Sequence, residues 1–331
     1  MKIHFVRGHC GWDVVTLLLG KEIPEERQLA TALAVIDDPV NGGIEAGILE
    51  PGDAPGDIRV RITDGLTRRW LTMCGGMTQV IGKALVETSL REHFAIDAAV
   101  PQVRVRLFTG ACVIPISVDV REGRAYAVTT DMSTYAELLY SIGIEPVGLC
   151  GVEALHVGEY LVVRLSALEK AHPGIDFTRR DPGPHLDIVN GVLEAYRHYL
   201  GGPPGSCAML YDDRPEGPGQ FRIFPRFSGQ DDTAARLPYE FQCGTGTIAL
   251  VLALAHTREL PFSEGHGTIV IEWGSLRSTP DPYGIRTSRV DIELRAGRVA
   301  GAAFSHSVVE IVAEGTIWMS GIRERGAPIR S

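Results

Sequence analysis

The segments MCGGMT at residues 73–78 and CGTGT at residues 243–247 are related in sequence. Both contain the pattern Cys-Gly-x-x-Thr, and Cys74 and Cys243 lie 169 positions apart (243 minus 74), about half of the 331 residues. After the first segment, apolar residues recur at helical spacing, which predicts a helix with one buried face. After the second, residues 248–255 are all apolar, which predicts a helix enclosed on every side. Two related halves are therefore expected, each with a central helix that begins at a cysteine.

Each half also contains a second helical pattern upstream of its cysteine, at residues 24–37 and 185–200. Alternating polar and apolar residues predict strands at residues 57–64, 102–108, 159–165, 268–275 and 289–295. This order predicts an α+β fold of two pseudo-symmetric lobes, each a β-sheet or barrel wrapped around its central helix. The expected lobes are residues 1–128 plus 305–331 and residues 129–304, and each carries one of the two cysteines. We expect the active site in the cleft between them.

The composition is that of an ordinary globular protein with an acidic balance. The formal net charge is −9, from 32 Lys+Arg and 41 Asp+Glu, and no basic block occurs, so nucleic-acid binding is not expected. Apolar runs are far shorter than the ~20 residues of a membrane helix, and the N-terminus does not resemble a signal peptide. The six cysteines form no CxxC or zinc-type spacing, so we expect neither disulfides nor a metal. A cytoplasmic protein with reduced thiols and no membrane partner is expected.

A cysteine at the start of a helix lies in a distinctive chemical environment. Unpaired backbone amides and the helix dipole favour negative charge there, and both stabilise a thiolate. No side chain blocks the amides of four nearby glycines, which can therefore bind an anion such as a carboxylate. These glycines are Gly75, Gly76, Gly244 and Gly246. Two thiols on opposite sides of an α-carbon can remove a proton from one face and deliver one to the other. This chemistry requires no cofactor.

The two segments resemble the motifs of the proline racemase family, which has the diaminopimelate-epimerase-like fold. Residues 243–247 match the family motif C-G-T-G-T in full, and residues 73–78 match M-C-G-H-x-[ST] except at the histidine. Weaker similarities occur at His9-Cys10-Gly11, at Trp273-Gly274-Ser275 and in the closing GTIWMSGI segment. The resemblance implies a cofactor-independent racemase or epimerase of a proline- or hydroxyproline-like amino acid, with Cys74 and Cys243 as acid and base. It also implies that the substrate carboxylate binds the backbone amides of Gly75, Gly76, Gly244 and Thr245.

Two departures from the family pattern concern the substrate pocket. Gly76 replaces the histidine of the first motif, and Tyr239 replaces an aspartate four residues before Cys243. The adjacent Glu240 is a candidate to bind the substrate amine instead, and His9 is a candidate to reach the cleft. We therefore expect a pocket that is not shaped for plain proline. Its substrate is expected to be larger, acyclic or more polar.

Three other functions fit parts of the same pattern. A dehydratase or double-bond isomerase on this scaffold also begins with removal of an α-proton, and elimination can survive the loss of one cysteine. A hydrolase with Cys74 as nucleophile needs an adjacent histidine base, and Gly76 stands at that position. A non-catalytic amino-acid sensor would need neither thiol. The expected partner is a small-molecule amino or imino acid, and a homodimer is an open option for the assembly.

Overall fold

The computed structural model describes residues 1–11, 13–38, 43–179, 183–201, 206–228, 239–240, 242–274 and 285–319. The strands of this part of the chain are β1 (Lys2–Cys10), β2 (Asp13–Leu19), β3 (Glu45–Pro51), β4 (Asp57–Asp64), β5 (Trp70–Leu71), β6 (Gln102–Phe108), β7 (Val113–Arg121), β8 (Arg124–Asp131), β9 (Ile144–Leu149), β10 (Val152–Val157), β11 (Tyr160–Arg164), β12 (Cys207–Asp212), β13 (Phe221–Phe227), β14 (Gly265–Trp273), β15 (Thr287–Arg295), β16 (Arg298–His306) and β17 (Glu310–Trp318). Its helices are α1 (Gln28–Ile36), α2 (Gly75–Glu87), α3 (Leu90–His93), α4 (Ser133–Ile142), α5 (Leu165–Ala171), α6 (Pro184–Tyr199) and α7 (Gly244–Thr257).

The strand pairing of the first half is repeated in the second. In the first half β2 runs parallel to β3, β3 pairs antiparallel with β4, and β4 runs parallel to β6, followed by antiparallel β7 and β8. In the second half β11 to β16 follow the same scheme, with β13 parallel to β14. The central helices α2 and α7 occupy the equivalent crossover connections, β4 to β6 and β13 to β14. The predicted α+β fold with pseudo-symmetric lobes is confirmed.

The two halves are joined through their strands. β8 pairs antiparallel with β16, and the last strand, β17, returns to pair with β1. In this arrangement β17 pairs with β1 as β9 pairs with β10 in the other half. The predicted boundaries at residues 128 and 304 fall inside β8 and β16, which pair with each other. The division of the chain into lobes at these positions stays a prediction.

The two central helices are deeply buried. Every residue of α7 from Gly244 to Ala255 is buried, as its continuous apolar run predicts. The prediction of a single buried face for α2 is wrong, because eleven of its thirteen residues are buried. Polar residues on its other face are satisfied internally: the Thr78 and Thr130 hydroxyls lie 2.7 Å apart, and the Gln79 amide donates to Thr130 at 2.6 Å. Strands β1, β7, β8 and β17 pack against α2 together with helices α3 and α7, and its N-terminus is held in the interior.

Candidate active site

The two central helices meet at their N-termini. Cys74 and Cys243 are the N-cap residues, with extended backbone, and each sulfur accepts a hydrogen bond from the amide three residues ahead, at 3.3 and 3.2 Å. Gly75 and Gly244 face each other directly. A Cβ added to Gly75 would lie 2.6 Å from the Gly244 Cα, and one added to Gly244 would lie 2.8 Å from the Gly75 Cα. Glycine at both positions lets the helix starts approach this closely.

A cavity of about 260 Å³ lies at the junction of the helix starts. Sites for drug-sized ligands typically span ~300–1,000 Å³, so this cavity suits a smaller molecule. Its lining includes both N-cap cysteines and three residues of the helix starts, Gly75, Gly76 and Gly244. The uncharged polar residues of the lining include Thr245, Tyr160 and Gln242. Its charged residues include Glu45, Asp64, Glu159, Glu240 and Arg69. Helix N-termini attract anions, and carboxylates attract cations. The cavity thus offers partners for both charged groups of a zwitterion.

The Cys74 thiol lies against a carboxyl group. Its Sγ donates a hydrogen bond to Oε2 of Glu45 at 2.8 Å, and it accepts the amide hydrogen of Met77. Glu45 lies on β3, 29 positions before the cysteine. A carboxylate in contact with a thiol disfavours the thiolate, because two negative charges repel each other. Cys74 is therefore placed to donate a proton.

Cys243 accepts an equivalent amide hydrogen but has different side-chain neighbours. Its sulfur accepts the Gly246 amide hydrogen at 3.2 Å and lies 3.3 Å from the hydroxyl oxygen of Thr245. The fully buried thiol of Cys207 also contacts it. Burial, followed by the contact with Cys243, raises the pKa of Cys207 well above its usual range, so Cys207 remains a protonated donor. Donors around a sulfur stabilise its thiolate. Cys243 is therefore placed to accept a proton.

Most of the predicted site residues line the cavity. The lining includes both cysteines, Gly75, Gly76, Gly244, Thr245 and Glu240. Gly246 is placed just behind it, where its amide holds the Cys243 sulfur. His9 is not among the lining residues, and its Nε2 lies 3.2 Å from a carboxylate oxygen of Glu310 on β17. A substrate contact by His9 stays a prediction without a geometric counterpart.

The structure shows which residues surround the two positions, 76 and 239, at which the sequence departs from the family motifs. A Cβ added to Gly76 would lie 2.8 Å from the amide nitrogen of Gln242, which is 2% exposed. Gln242 thus occupies the space that a side chain at position 76 would take. Tyr239 is buried in the core beside Phe224, with a ring-centroid distance of 5.6 Å. The cavity lining therefore gains an amide where the family has an imidazole, and Glu240 rather than Tyr239 supplies a polar group.

Sequence reasoning missed several polar residues of the cavity, among them Glu45, Asp64, Arg69, Glu159, Tyr160 and Gln242. Glu45 and Tyr160 lie on strands far from either cysteine in sequence, and no motif marks them. Gln242 directly precedes Cys243, and its position next to a motif cysteine was the available signal. Ser275 and residues 320–322, which contributed to the weaker similarities, lie outside the described residues.

Two features of the described residues concern metal binding and membrane insertion. Among the described residues, no group of three or more histidine, cysteine or acidic side chains is arranged to hold a metal ion. Within the same part of the chain, no helix combines the length and apolar character needed to cross a bilayer.

Comparison with solved structures identifies the fold. Neither family models nor curated sequences match the chain. A hydroxyproline epimerase from Agrobacterium vitis, solved with bound trans-4-hydroxy-L-proline, has a TM-score of 0.60 at 16% identity, covering 96% of this chain and 92% of that chain. A probable proline racemase from Agrobacterium radiobacter K84, with bound carbonate, has a TM-score of 0.63 at 12% identity, covering 96% and 93%. Methylitaconate-delta-isomerase has a TM-score of 0.57 at 15% identity, covering 96% and 95%.

The chain therefore has the fold shared by these racemases, epimerases and isomerases. The resemblance drawn from the two Cys-Gly segments is confirmed at the level of this fold. With identities of 12–16%, the comparison does not extend to a substrate or to a reaction.

Proposed function

We propose that this protein is a cofactor-independent racemase or epimerase that inverts the α-carbon of an amino acid by two-cysteine acid–base catalysis. One observation carries the proposal: two N-cap thiols, each with different side-chain neighbours, line a single cavity. Both sulfurs accept an amide hydrogen; Cys74 also donates to a carboxylate, and Cys243 is also contacted by a hydroxyl and a thiol. Inversion by two groups requires one acid and one base at the same moment. The fold that the chain shares with a hydroxyproline epimerase supports the same reaction class.

The reaction begins from the state that these contacts favour. Cys243, as thiolate, removes the α-proton from one face of the substrate, and the Cys74 thiol delivers its proton to the opposite face. The product is the mirror-image α-centre, and the enzyme is left with Cys74 as thiolate and Cys243 as thiol. Proton exchange with solvent then restores the starting state. Two interacting thiols titrate as a pair, so the two pKa values of the site belong to the pair and not to either cysteine.

Substrate binding follows from the charges of the cavity. The substrate carboxylate binds backbone amides of the cavity-lining residues at the paired helix starts. The two helix dipoles add at this point. These donors also stabilise the negative charge that develops when the α-proton leaves. The substrate ammonium is attracted by lining carboxylates, of which Glu240 and Glu159 belong to the half that carries Cys243. We propose a proline- or hydroxyproline-like amino acid, or a larger one with a polar group that contacts Gln242, as the small-molecule partner.

The proposal is tested by proton exchange in D2O. The purified protein is incubated with single enantiomers of proline, of the 4-hydroxyproline epimers and of acyclic acidic, basic and neutral amino acids. NMR then follows the loss of the α-proton signal, and chiral chromatography follows inversion. We expect exchange accompanied by inversion for at least one member, and none after alkylation of the protein with iodoacetamide. A panel without any exchange would contradict the proposal, and exchange accompanied by elimination would favour a dehydratase.

Replacement of Glu45 by glutamine should expose the acid–base asymmetry of the two thiols. The variant removes the negative charge beside the Cys74 sulfur and supplies an amide that can donate to a thiolate. We expect Cys74 to react about tenfold faster with iodoacetamide at pH 7, since a tenfold change corresponds to one pKa unit. Peptide mass spectrometry measures the rate at this one cysteine.

The matched control for this variant is Glu50→Gln, on the same strand. Glu50 accepts a hydrogen bond from Gln28 and is not among the residues that line the cavity. It should leave the Cys74 reaction rate unchanged. Equal rates in the wild type and in Glu45→Gln would show that Glu45 does not control the protonation of Cys74.

A further inference from the structure

A row of buried hydroxyl groups connects Cys243 to Glu159, a second residue that lines the cavity. The Cys243 sulfur lies 3.3 Å from the Thr245 hydroxyl oxygen, which accepts a hydrogen bond from the Tyr160 hydroxyl at 2.7 Å. The Tyr135 hydroxyl lies 3.5 Å from that of Tyr160 and donates to a carboxylate oxygen of Glu159 at 3.1 Å. Both tyrosines are almost fully buried, and Glu159 lines the cavity. No sequence motif marks Tyr135 or Tyr160.

The chemistry of these groups fixes the direction of the hydrogen bonds. Burial raises the pKa of Tyr135 and of Tyr160 well above the usual range, so both keep their protons. The Glu159 carboxylate can only accept, which commits the Tyr135 proton to it. Tyr160 donates to the Thr245 oxygen, and Thr245 then has its own proton free to donate to the Cys243 sulfur. The row therefore ends in a donor aimed at the sulfur.

We propose that Tyr160 is a positioning residue, which acts through Thr245 to hold Cys243 as the proton-accepting thiolate. The proposal assigns a role in the reaction to the Thr245 side chain, in addition to its backbone amide. It also gives the inversion reaction a preferred direction. The resting enzyme is ready to react with the substrate enantiomer whose α-proton faces Cys243. The direction rests on the proposed function, but the effect on the Cys243 thiol does not.

The proposal is tested by the pH dependence of Cys243 alkylation, which requires no substrate. Wild type, Tyr160→Phe, Thr245→Val and Thr245→Ser are treated with iodoacetamide over a pH series, and peptide mass spectrometry gives the rate at Cys243. Tyr160→Phe and Thr245→Val should each shift the titration upward by about one pKa unit, which makes alkylation about tenfold slower below the pKa. Thr245→Ser keeps the hydroxyl and should retain the wild-type titration.

The other titratable and charged groups near Cys243 are the same in all of these variants. They include Cys74, Cys207, Tyr135, Glu159 and Glu240, and the other charged residues that line the cavity, Glu45, Asp64 and Arg69. A difference in the Cys243 titration therefore comes from the substituted residue. The matched control is Tyr196→Phe, which also removes a fully buried tyrosine hydroxyl, one bonded to a histidine nitrogen at 2.7 Å. Its Cys243 titration should equal that of the wild type.

The outcomes separate this proposal from the proposed function. A wild-type titration of Cys243 in Tyr160→Phe and Thr245→Val would overturn the role of Tyr160. A shifted titration supports that role even if no amino acid exchanges its α-proton in D2O, a result that would contradict only the epimerase. If exchange is found, its pH profile should shift with the Cys243 titration. A loss of rate that is equal at every pH would instead indicate a purely structural role and would overturn the proposal.

Discussion

Cys74→Ala and Cys243→Ala are each expected to lower the rate of α-carbon inversion at least about a thousandfold. A positioned acid or base typically contributes 10²- to 10⁴-fold, and inversion needs one on each face of the substrate. Each variant keeps one thiol, so it can exchange the α-proton of one enantiomer at most, with retention of configuration. Chiral chromatography measures inversion, and NMR in D2O measures exchange in the same samples.

The control for these variants is Cys150→Ser, which removes an exposed thiol that is not among the residues lining the cavity. Its inversion rate should match that of the wild type. Inversion at the wild-type rate in either alanine variant would exclude the two-thiol reaction. Elimination that survives in Cys243→Ala would identify a dehydratase on the same scaffold.

Gly244→Ala should damage both activity and stability, because the new methyl group meets backbone rather than a flexible side chain. The added Cβ would lie 2.8 Å from the Gly75 Cα and 2.9 Å from the Phe304 ring, whereas carbon atoms pack at about 3.5–4.0 Å. Relief requires the two helix starts to separate by roughly 1 Å, and a displacement of that size can cost about 10² in rate. Overpacking of a core typically costs about 1–3 kcal/mol in the free energy of unfolding.

Gly191→Ala provides the matched comparison. Gly191 lies within helix α6, and nothing lies within 4 Å of the position of its added Cβ. Alanine in an open helical position stabilises a protein by about 0.5–1 kcal/mol relative to glycine, so this variant should be slightly more stable and fully active. Denaturant unfolding and the inversion rate are measured for both variants. Wild-type stability and activity in Gly244→Ala would mean that the close approach of the two helices is not required.

The features that the sequence predicts well depend on local patterns. The strands predicted at residues 57–64 and 102–108 coincide with β4 and β6. Successive side chains of a strand point to opposite faces, so polar and apolar residues alternate when one face is buried. The helix starts at Cys74 and Cys243 are also predicted, since the repeated Cys-Gly-x-x-Thr pattern directly precedes an apolar stretch typical of a buried helix. The half-chain repeat then predicts the pairing scheme that the two halves share.

The features that the sequence does not predict depend on contacts between distant segments. The environment of α2 is misread because Thr78 and Gln79 look like an exposed face but bond to Thr130 in the interior. Glu45 reaches Cys74 only because β3 lies beside the start of α2, and Tyr160 reaches Thr245 from β11. Neither contact leaves a local pattern. The proposed acid–base asymmetry of the site therefore depends on tertiary contacts, which local sequence patterns do not record.

The return of β17 to β1 has a consequence for biosynthesis. The amino group of Met1 donates to the carbonyl oxygen of Met319, 318 positions away, and β1 lies between β2 and β17. A ribosome adds ~5–20 residues per second, so one edge of the nascent β1 stays open for on the order of 15 s or longer. An unpaired strand edge is a template for association with other chains. Protection of this edge during translation thus depends on chaperones or on transient local structure until the final strand has emerged.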